Sequence, residues 1–504
     1  MVIELYQKLE QGGQARQTLA ALREALREDK GARGELVAYC DGDFDALTKC
    51  FSAEDAKTRK NAALLAGELA IPVLDELWMT YRTEQTRFVR SAYLMAIKHY
   101  NYIELLPQIK KALEEVNAIS ITEENRKHLQ EERKLLRELI VAKEHAKWHR
   151  YTGESLVSDL VLTTNRNHQS LLYSELGRCK KKEFGAGIMV RTDKPGKLFA
   201  LRTFEEMFFV LPGAQRLPGD PQAAAETLLK AGLVRYLRER HEESSAPFLF
   251  RIEVRGTMPL EKRGNFVRRC AAVLEEGAGG ALANTTDGYE FELRLIETKE
   301  GEWYALLKLF TLRDTRFAYR QKTIAAGMRP VNAALCMALA NTWGKEEKFF
   351  QEGARVLDPF CGAGTMLIER AKCAPVKEIF GIDLLEQAVD AARFNTKLAD
   401  LNANYINRDF FTFTSEILFS EIVTDMPFTT SKEEEKEREI EKLYQRFFLR
   451  APELLKPDGV MLILTHNRPL MYRYAKNFSC LKEFELSKKE GSYLFLLRQI
   501  SGEN

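Results

Sequence analysis

A chain of 504 residues, 45% hydrophobic and 29% charged, exceeds what one ordinary core accommodates, so about two to four domains are expected. It holds no run of about 18 apolar residues, which excludes a transmembrane helix, and its charged N-terminus MVIELYQKLEQGGQARQ lacks the apolar core of an export signal. A net charge of +2 announces no polyanionic partner, and eight cysteines without a CxxC pair suit reduced thiols in a cytoplasmic protein and offer no metal site.

Residues 1–150 read as helices almost throughout. Within them TRKNAALL, at 58–65, recurs as VRSAYLMA at 89–96, a shift of 31 residues, and LDEL at 74–77 is set more weakly against LLPQ at 105–108. Two amphipathic helices per repeat are what stacked helical units need, because one pair cannot bury its apolar faces alone. Arg59 and Arg90, near the start of each copy, resemble the arginines of HEAT-like repeats. Such a surface implies a protein partner more than catalysis. The stretch 123–150, rich in i,i+4 charge pairs, reads as a solvated connector helix.

In residues 151–320 the texture changes to short strands and turns. DLVLTTNRNHQSLLYSELG reads as strand, loop and helix, GAGIMVRTD and KLFALRT as paired strands, and FEEMFFVLPG closes the unit. PQAAAETLLKAGLVRYLRERHEE then reads as a helix, FLFRIEVRG as a strand, NFVRRCAAVLEE as a helix, and YEFELRLIETKEGEWYALLKLF as a hairpin. This interleaving predicts a compact α+β region. Its basic residues bunch: Arg178, Lys180, Lys181 and Lys182; Lys262, Arg263, Arg268 and Arg269; Arg313, Arg316 and Arg320. Clusters in a nearly neutral segment can track a phosphate backbone.

Residues 321–504 alternate strand and helix as a parallel α/β sheet does. The segment RVLDPFCGAGTMLIERA runs along an apolar strand to Asp358 and turns through Gly362 and Gly364 into a helix. Glycines there let backbone amides approach a ligand at the carboxyl edge of the sheet. The pattern is neither G-x-G-x-x-G nor a Walker loop, and Asp383 ends the next strand about 20 residues on, where an acidic side chain accepts from ribose hydroxyls. The segment closely resembles the class I S-adenosylmethionine-dependent methyltransferases, with a Rossmann-like fold. The resemblance implies S-adenosylmethionine as cofactor, with Asp358, Phe360, Gly362 and Gly364 bordering its methionine part. It further implies Asp383 at the ribose and Asp409 at the adenine amino group.

The fourth strand, EIVTD, opens on the same cleft and continues as Met426-Pro427-Phe428. D-M-P-F stands where amino-methyltransferases carry [D/N/S]-P-P-[Y/F]. The lone pair of an exocyclic amine is delocalised into its ring, so an Asp425 carboxylate and a backbone carbonyl accepting its N–H bonds would favour a pyramidal, attacking nitrogen. Pro427 stiffens the backbone whose carbonyls face the amine, and Phe428 offers a face for an unpaired or flipped base. His466, after a later strand, suits a cap or turn.

With D-M-P-F preceded by I-V-T, the chain resembles THUMP-domain RNA methyltransferases acting on N2 of guanosine. LVLTTNRNHQSLLYSELG to MFFVL resembles that family's ferredoxin-like unit, FLFRIEVRG to YALLKLF its THUMP, and RFAYRQKTIAAGMRPVNAALCMALA its lead-in helix. The resemblance covers residues 155–500 and implies a tRNA-processing enzyme whose first two units hold the acceptor end. Where the family continues D-M-P-F-G-x-K, this chain has Thr429-Thr430-Ser431-Lys432 and an acidic run. Two alternatives follow: amino methylation of another base (ribosomal RNA guanosine, adenine N6), or an RNA- or partner-binding module whose methyltransferase domain is inactive or activator-dependent.

Overall fold

The computed structural model of the protein describes every residue except 30, 121, 144–148, 186, 245, 325–326, 346–348, 432 and 501–504. The chain divides into two compact units, Met1–Trp148 and His149–Asn504. Among the described residues no helix is long and apolar enough to cross a membrane.

The first unit is helical. The helices Ala56–Leu69 and Arg87–Ile97, which carry the 31-residue repeat, pack side by side. Their approach is close enough that a Cβ on Gly67 would stand 2.6 Å from the Cα of Ala96, so only glycine fits. The repeated arginines do equivalent work. Arg59 pairs with Glu84 at 2.8 Å and Arg90 with Glu132 at 2.9 Å, both carboxylates being buried. Glu132 also accepts from the Tyr81 hydroxyl at 3.0 Å and from Arg87 at 3.2 Å, which meets the rule that a buried charge must be paired.

The second unit holds two sheets. The first contains β1 (Ser158–Thr164), β2 (Lys180–Phe184), β3 (Gly187–Thr192), β4 (Phe204–Phe209), β5 (Arg216–Leu217), β6 (Phe248–Arg255), β7 (Leu282–Asn284), β8 (Phe291–Glu297) and β9 (Trp303–Leu309), in the order β2-β3-β1-β4-β9-β8-β6-β7, with β5 beside β9. The strands read from sequence as two successive groups thus share one sheet, joined where Phe209 of β4 faces Leu307 of β9. KLFALRT is not a strand. Pro195 opens a 3-10 turn over Pro195–Ala200, and the basic run Lys180–Phe184 pairs with β3 instead. The long helix expected from Pro221 breaks at Gly232, whose φ of 81° begins a second helix, Leu233–Arg238.

The second sheet comprises β10 (Ala354–Asp358), β11 (Val376–Asp383), β12 (Asn404–Asn407), β13 (Phe419–Asp425), β14 (Leu455–Thr465), β15 (Phe478–Ser487) and β16 (Ser492–Gln499). Its order is β12-β11-β10-β13-β14-β16-β15, parallel as far as β14, with β16 antiparallel between β14 and β15. The chain starts at the centre with β10, runs outward to β12, then crosses back to β13. Strand order therefore reverses between β10 and β13, and a crevice opens there at the carboxyl ends. β13 is buried along its length except at Asp425, and its Glu421 meets Arg370 through two bonds of 2.6 and 2.8 Å, both side chains fully buried.

Candidate active site

The site begins where β10 stops. Asp358 is followed by a turn that Gly362 (φ 51°) and Gly364 (φ 79°) carry through left-handed backbone into the helix Thr365–Cys373. L-residues enter that region at a cost, and a Cβ on Gly364 would also stand 2.6 Å from the Tyr405 hydroxyl. The turn is held from three sides. Cys361 N–H donates to the Ile382 carbonyl at 2.9 Å, and Gly362 N–H donates to Asp383 Oδ2 at 2.9 Å. Asn395 Nδ2 donates to the Ala363 carbonyl at 3.2 Å.

Asp383 ends β11 and gathers two backbone amides, with Oδ1 accepting from Leu385 at 2.9 Å while Oδ2 holds Gly362. Each oxygen keeps a second lone pair for an incoming hydroxyl. Asp409 follows β12, and its Oδ1 accepts from Phe411 N–H at 2.9 Å, capping the short 3-10 turn Phe410–Thr412. Phe360 turns its ring inward, 5.7 Å from the Phe410 ring and 5.9 Å from that of Phe447. Its share in the turn is therefore backbone, and the ring is a packing element.

Asp358 is buried and accepts from the Thr424 hydroxyl at 2.6 Å and from Phe360 N–H at 3.1 Å. Burial pushes its carboxyl up to about 8 against these two bonds, and the nearby Asp425 and Asp383 add to the rise. Asp358 thus feels both neighbouring carboxyl groups across the crevice.

Asp425 ends β13. Burial lifts its carboxyl to about 7, and its Oδ1 is buried without a hydrogen-bond partner among the described residues. A buried carboxylate oxygen left unmatched costs free energy unless a ligand completes it. The next residue is anchored by Met426 N–H donating to the Leu464 carbonyl at 2.9 Å, which fixes the strand end from which Pro427 and Phe428 emerge. Phe428 is 38% exposed, and its ring lies 4.1 Å from that of His466, inclined by 32°. His466 Nδ1 is 3.0 Å from the Glu490 carbonyl, and because a carbonyl only accepts, that nitrogen carries the proton. His466 therefore packs on Phe428 in addition to making the turn contact expected of it.

Three residues that sequence reading passed over support the site. Thr424 bonds Asp358, and nothing distinguishes it from any β-forming threonine in a strand. Asn395 is fully buried, and besides Ala363 it holds the backbone amides of Gln321 and Lys322 at 3.2 and 3.0 Å, with its own amide donating to the Lys322 carbonyl at 2.8 Å. It ties the lead-in segment to the glycine turn, where Ile324 comes within 3.0 Å of a Cβ placed on Gly362. An asparagine on the apolar face of the helix Glu386–Leu398 was the available signal. Glu369 accepts from Tyr319 at 2.7 Å and from Arg202 at 2.6 and 2.8 Å, linking the first sheet's loops to the helix after the turn.

The basic clusters fare unevenly. Arg178, Lys180 and Lys182 are exposed, the two lysines on the edge strand β2. Lys181 is spent internally, donating to the Tyr173 and Gly177 carbonyls at 2.5 Å each beneath the Tyr173 ring. Arg263 likewise turns back to the Met258 and Gly256 carbonyls at 3.1 and 3.4 Å, and Arg268, itself exposed beside Arg269, bonds Asn265 at 2.5 Å. Arg316 is buried against Asp314, the Leu201 and Phe204 carbonyls and the Phe204 ring, so it is structural. The sheet order also separates the clusters, since β2 is one edge and the helix Leu260–Gly277 packs on β6 and β7 at the other.

Residues 318–494 match the family model of the RMKL-like methyltransferase domain (UPF0020). No curated protein matches the chain. Among solved structures, TrmN from Thermus thermophilus is 21% identical, with 68% of this chain and 99% of that one covered at a TM-score of 0.49. A predicted N6-adenine-specific DNA methylase from Listeria monocytogenes is 15% identical, covering 68% and 96% at 0.49. The methyltransferase SMU.472, solved with SAH, is 14% identical, covering 69% and 99% at 0.49.

The residues present fit the donor such a domain takes. The left-handed turn carries no side chain of its own at Gly362 and Gly364, and acidic side chains stand at the ends of β10 and β11 and beyond β12, on the crevice side of the sheet. Residues 318–494 are accordingly a class I methyltransferase domain whose methyl donor is S-adenosylmethionine.

Proposed function

We propose that the protein is an RNA methyltransferase that places a methyl group on the exocyclic N2 of a guanosine in tRNA. The observation that carries this reading is Asp425 Oδ1, buried and without a partner among the described residues, at the strand end from which the exposed Phe428 emerges. An amine N–H completes that oxygen, and a flipped base covers the free face of the ring; stacking of this kind is worth ~1–3 kcal/mol. Accepting from the amine localises its lone pair on nitrogen. With the donor bound, its sulfonium would supply the methyl group to that nitrogen, the C–S bond breaking as the C–N bond forms, and the N–H proton would pass to solvent. Asp358, Gly362, Gly364, Asp383 and Asp409 hold the donor, with Phe360 contributing only backbone.

The region from His149 to Leu309 serves in this reading as the ferredoxin-like and THUMP platform for the acceptor end. Arg178, Lys180, Lys182, Arg268 and Arg269 are exposed cations of that region. The HEAT-like helical unit lies outside the catalytic resemblance. Incubation with tritiated S-adenosylmethionine and unmodified tRNA or ribosomal RNA, followed by nucleoside analysis, tests the proposal. Labelled N2-methylguanosine from tRNA, lost in Asp425→Ala, is expected. Label in N6-methyladenosine or in ribosomal RNA would replace the substrate, and cofactor binding without any label would favour a binding module.

A further inference from the structure

The helical unit Met1–Trp148 contains a cavity of about 650 Å3 whose lining is cationic. Arg16, Gln17, Ala20 and Arg23 come from the helix Ala15–Glu28, Lys57, Lys60 and Asn61 from Ala56–Leu69, Phe88 from Arg87–Ile97, and His128 from Arg126–Lys143. The spacings 16, 20, 23 and 57, 60, 61 are the i, i+3, i+4 and i+7 positions of one helix face, so the charges converge. Among the described residues no acidic side chain lines the cavity. Arg23 is matched by Glu68 at 2.8 Å, while Lys57 and Lys60 have no carboxylate within ion-pair distance among the described residues.

Two features add to the anion-attracting character of this cavity. Arg16 and Lys57 each stand in the first turn of a 14-residue helix, where the backbone dipole presents positive charge, and at the helix of Lys57 the Asp55 carboxylate caps that end by accepting from Thr58 N–H at 2.9 Å. Helix N-termini combined with lysine and arginine are the usual protein device for anions. Lys60 Nζ also sits 6.0 Å from the Phe88 ring centroid, and the His128 ring lies 6.2 Å from Phe88 with its buried Nδ1 lacking a hydrogen-bond partner among the described residues. Cations beside an aromatic face and an unmatched imidazole nitrogen suit phosphate plus base. The volume falls in the ~300–1,000 Å3 range of ligand sites.

We propose that this cavity binds a nucleotide of a single-stranded RNA segment, with Arg16, Lys57 and Lys60 on phosphate and Phe88 against the base. The helical unit is then a second RNA-holding surface. The choice of RNA rests on the proposed function, whereas the nucleotide chemistry of the cavity does not.

The test compares full-length Lys57→Glu/Lys60→Glu with Lys8→Glu/Lys49→Glu, an equal charge change at exposed lysines outside the cavity. A fluorescent 20-nucleotide single-stranded RNA is titrated across a salt series. The cavity pair should lose about tenfold or more in affinity at low salt, and the slope of log K against log salt should flatten by about 1.4, two phosphate contacts at ~0.7 each. Lys57→Gln/Lys60→Gln, which keeps the bulk of both side chains, should show a smaller loss in the same direction at unchanged melting temperature. Equal losses in cavity and control pairs would overturn the proposal. Cavity-dependent binding of AMP without cavity-dependent binding of RNA would overturn the RNA source. Binding of polyglutamate but not RNA would reassign the cavity to an acidic protein. Because binding is read without methyl transfer, a chain that methylates nothing still reports on the cavity.

Discussion

At the level of single residues, Asp425 joins two properties, a raised pKa and an oxygen without a partner among the described residues. The ionised carboxylate is the stronger acceptor for the amine N–H, and burial holds the group at about 7, so the active form is populated above that pH. Transfer at subsaturating RNA should rise about tenfold per pH unit below 7 and level off above 8. In Asp425→Asn the rise should vanish and turnover fall by ~10²–10³, the usual loss when one transition-state partner is removed, with cofactor affinity unchanged. A pH profile that kept its shape in the variant would remove Asp425 from this role.

Asp358 bears on stability in the opposite sense to an ion-paired carboxylate. Its folded pKa of about 8 lies above the ordinary 3.8, so between those values the native state binds a proton that the unfolded chain has released. Its contribution is therefore fully present below pH 4 and is lost as pH rises towards 8. Asp358→Asn keeps an acceptor for Thr424 but cannot ionise. Its melting temperature should fall less between pH 5 and 8 than that of the wild type, and parallel curves would contradict the assignment. Both aspartates were legible in sequence because each ends an apolar run. The hydrogen bond from Thr424 and the ring of His466 were not, since partners from separate strands leave no local mark.

At the scale of elements, β13 shows how a strand can be central and still carry a charge. Glu421 is matched by Arg370 from the helix after the glycine turn, so one ion pair fixes that helix against the strand ending in Asp425. Removing one partner leaves a buried charge, at a cost of about 3–5 kcal/mol, whereas replacing both by apolar groups is often neutral. Glu421→Ala should therefore lower the thermal stability of the chain strongly, and Arg370→Met/Glu421→Leu should recover most of it. A double variant as unstable as the single one would mean that the pair is not the reason. Alternation of strand and helix gave β10 to β14 and β16 from sequence. It missed β15, FSCLKEFELS, whose charged residues mark an edge strand and hide its apolar period.

Across the whole second unit, pairings distant in sequence decide what sequence reading could not. Helix and strand content of the middle region was visible, yet nothing local tells β4 to lie beside β9 and so to merge two apparent groups into one sheet. The same merger puts Lys180 and Lys182 at one edge and Arg268 and Arg269 near the other. An RNA that engages both must span the sheet, and contacts so far apart should contribute independently. Lys180→Gln/Lys182→Gln and Arg268→Gln/Arg269→Gln should each weaken tRNA binding several-fold at low salt and less at high salt, with the combined variant showing the product of the two losses. Lys181→Gln serves as the internal control. Its ammonium is bound to the Tyr173 and Gly177 carbonyls, so it should lower melting temperature while leaving tRNA affinity and its salt slope alone. If Lys181→Gln weakened tRNA binding as much as the pair beside it, β2 would act through its fold and not through exposed charge.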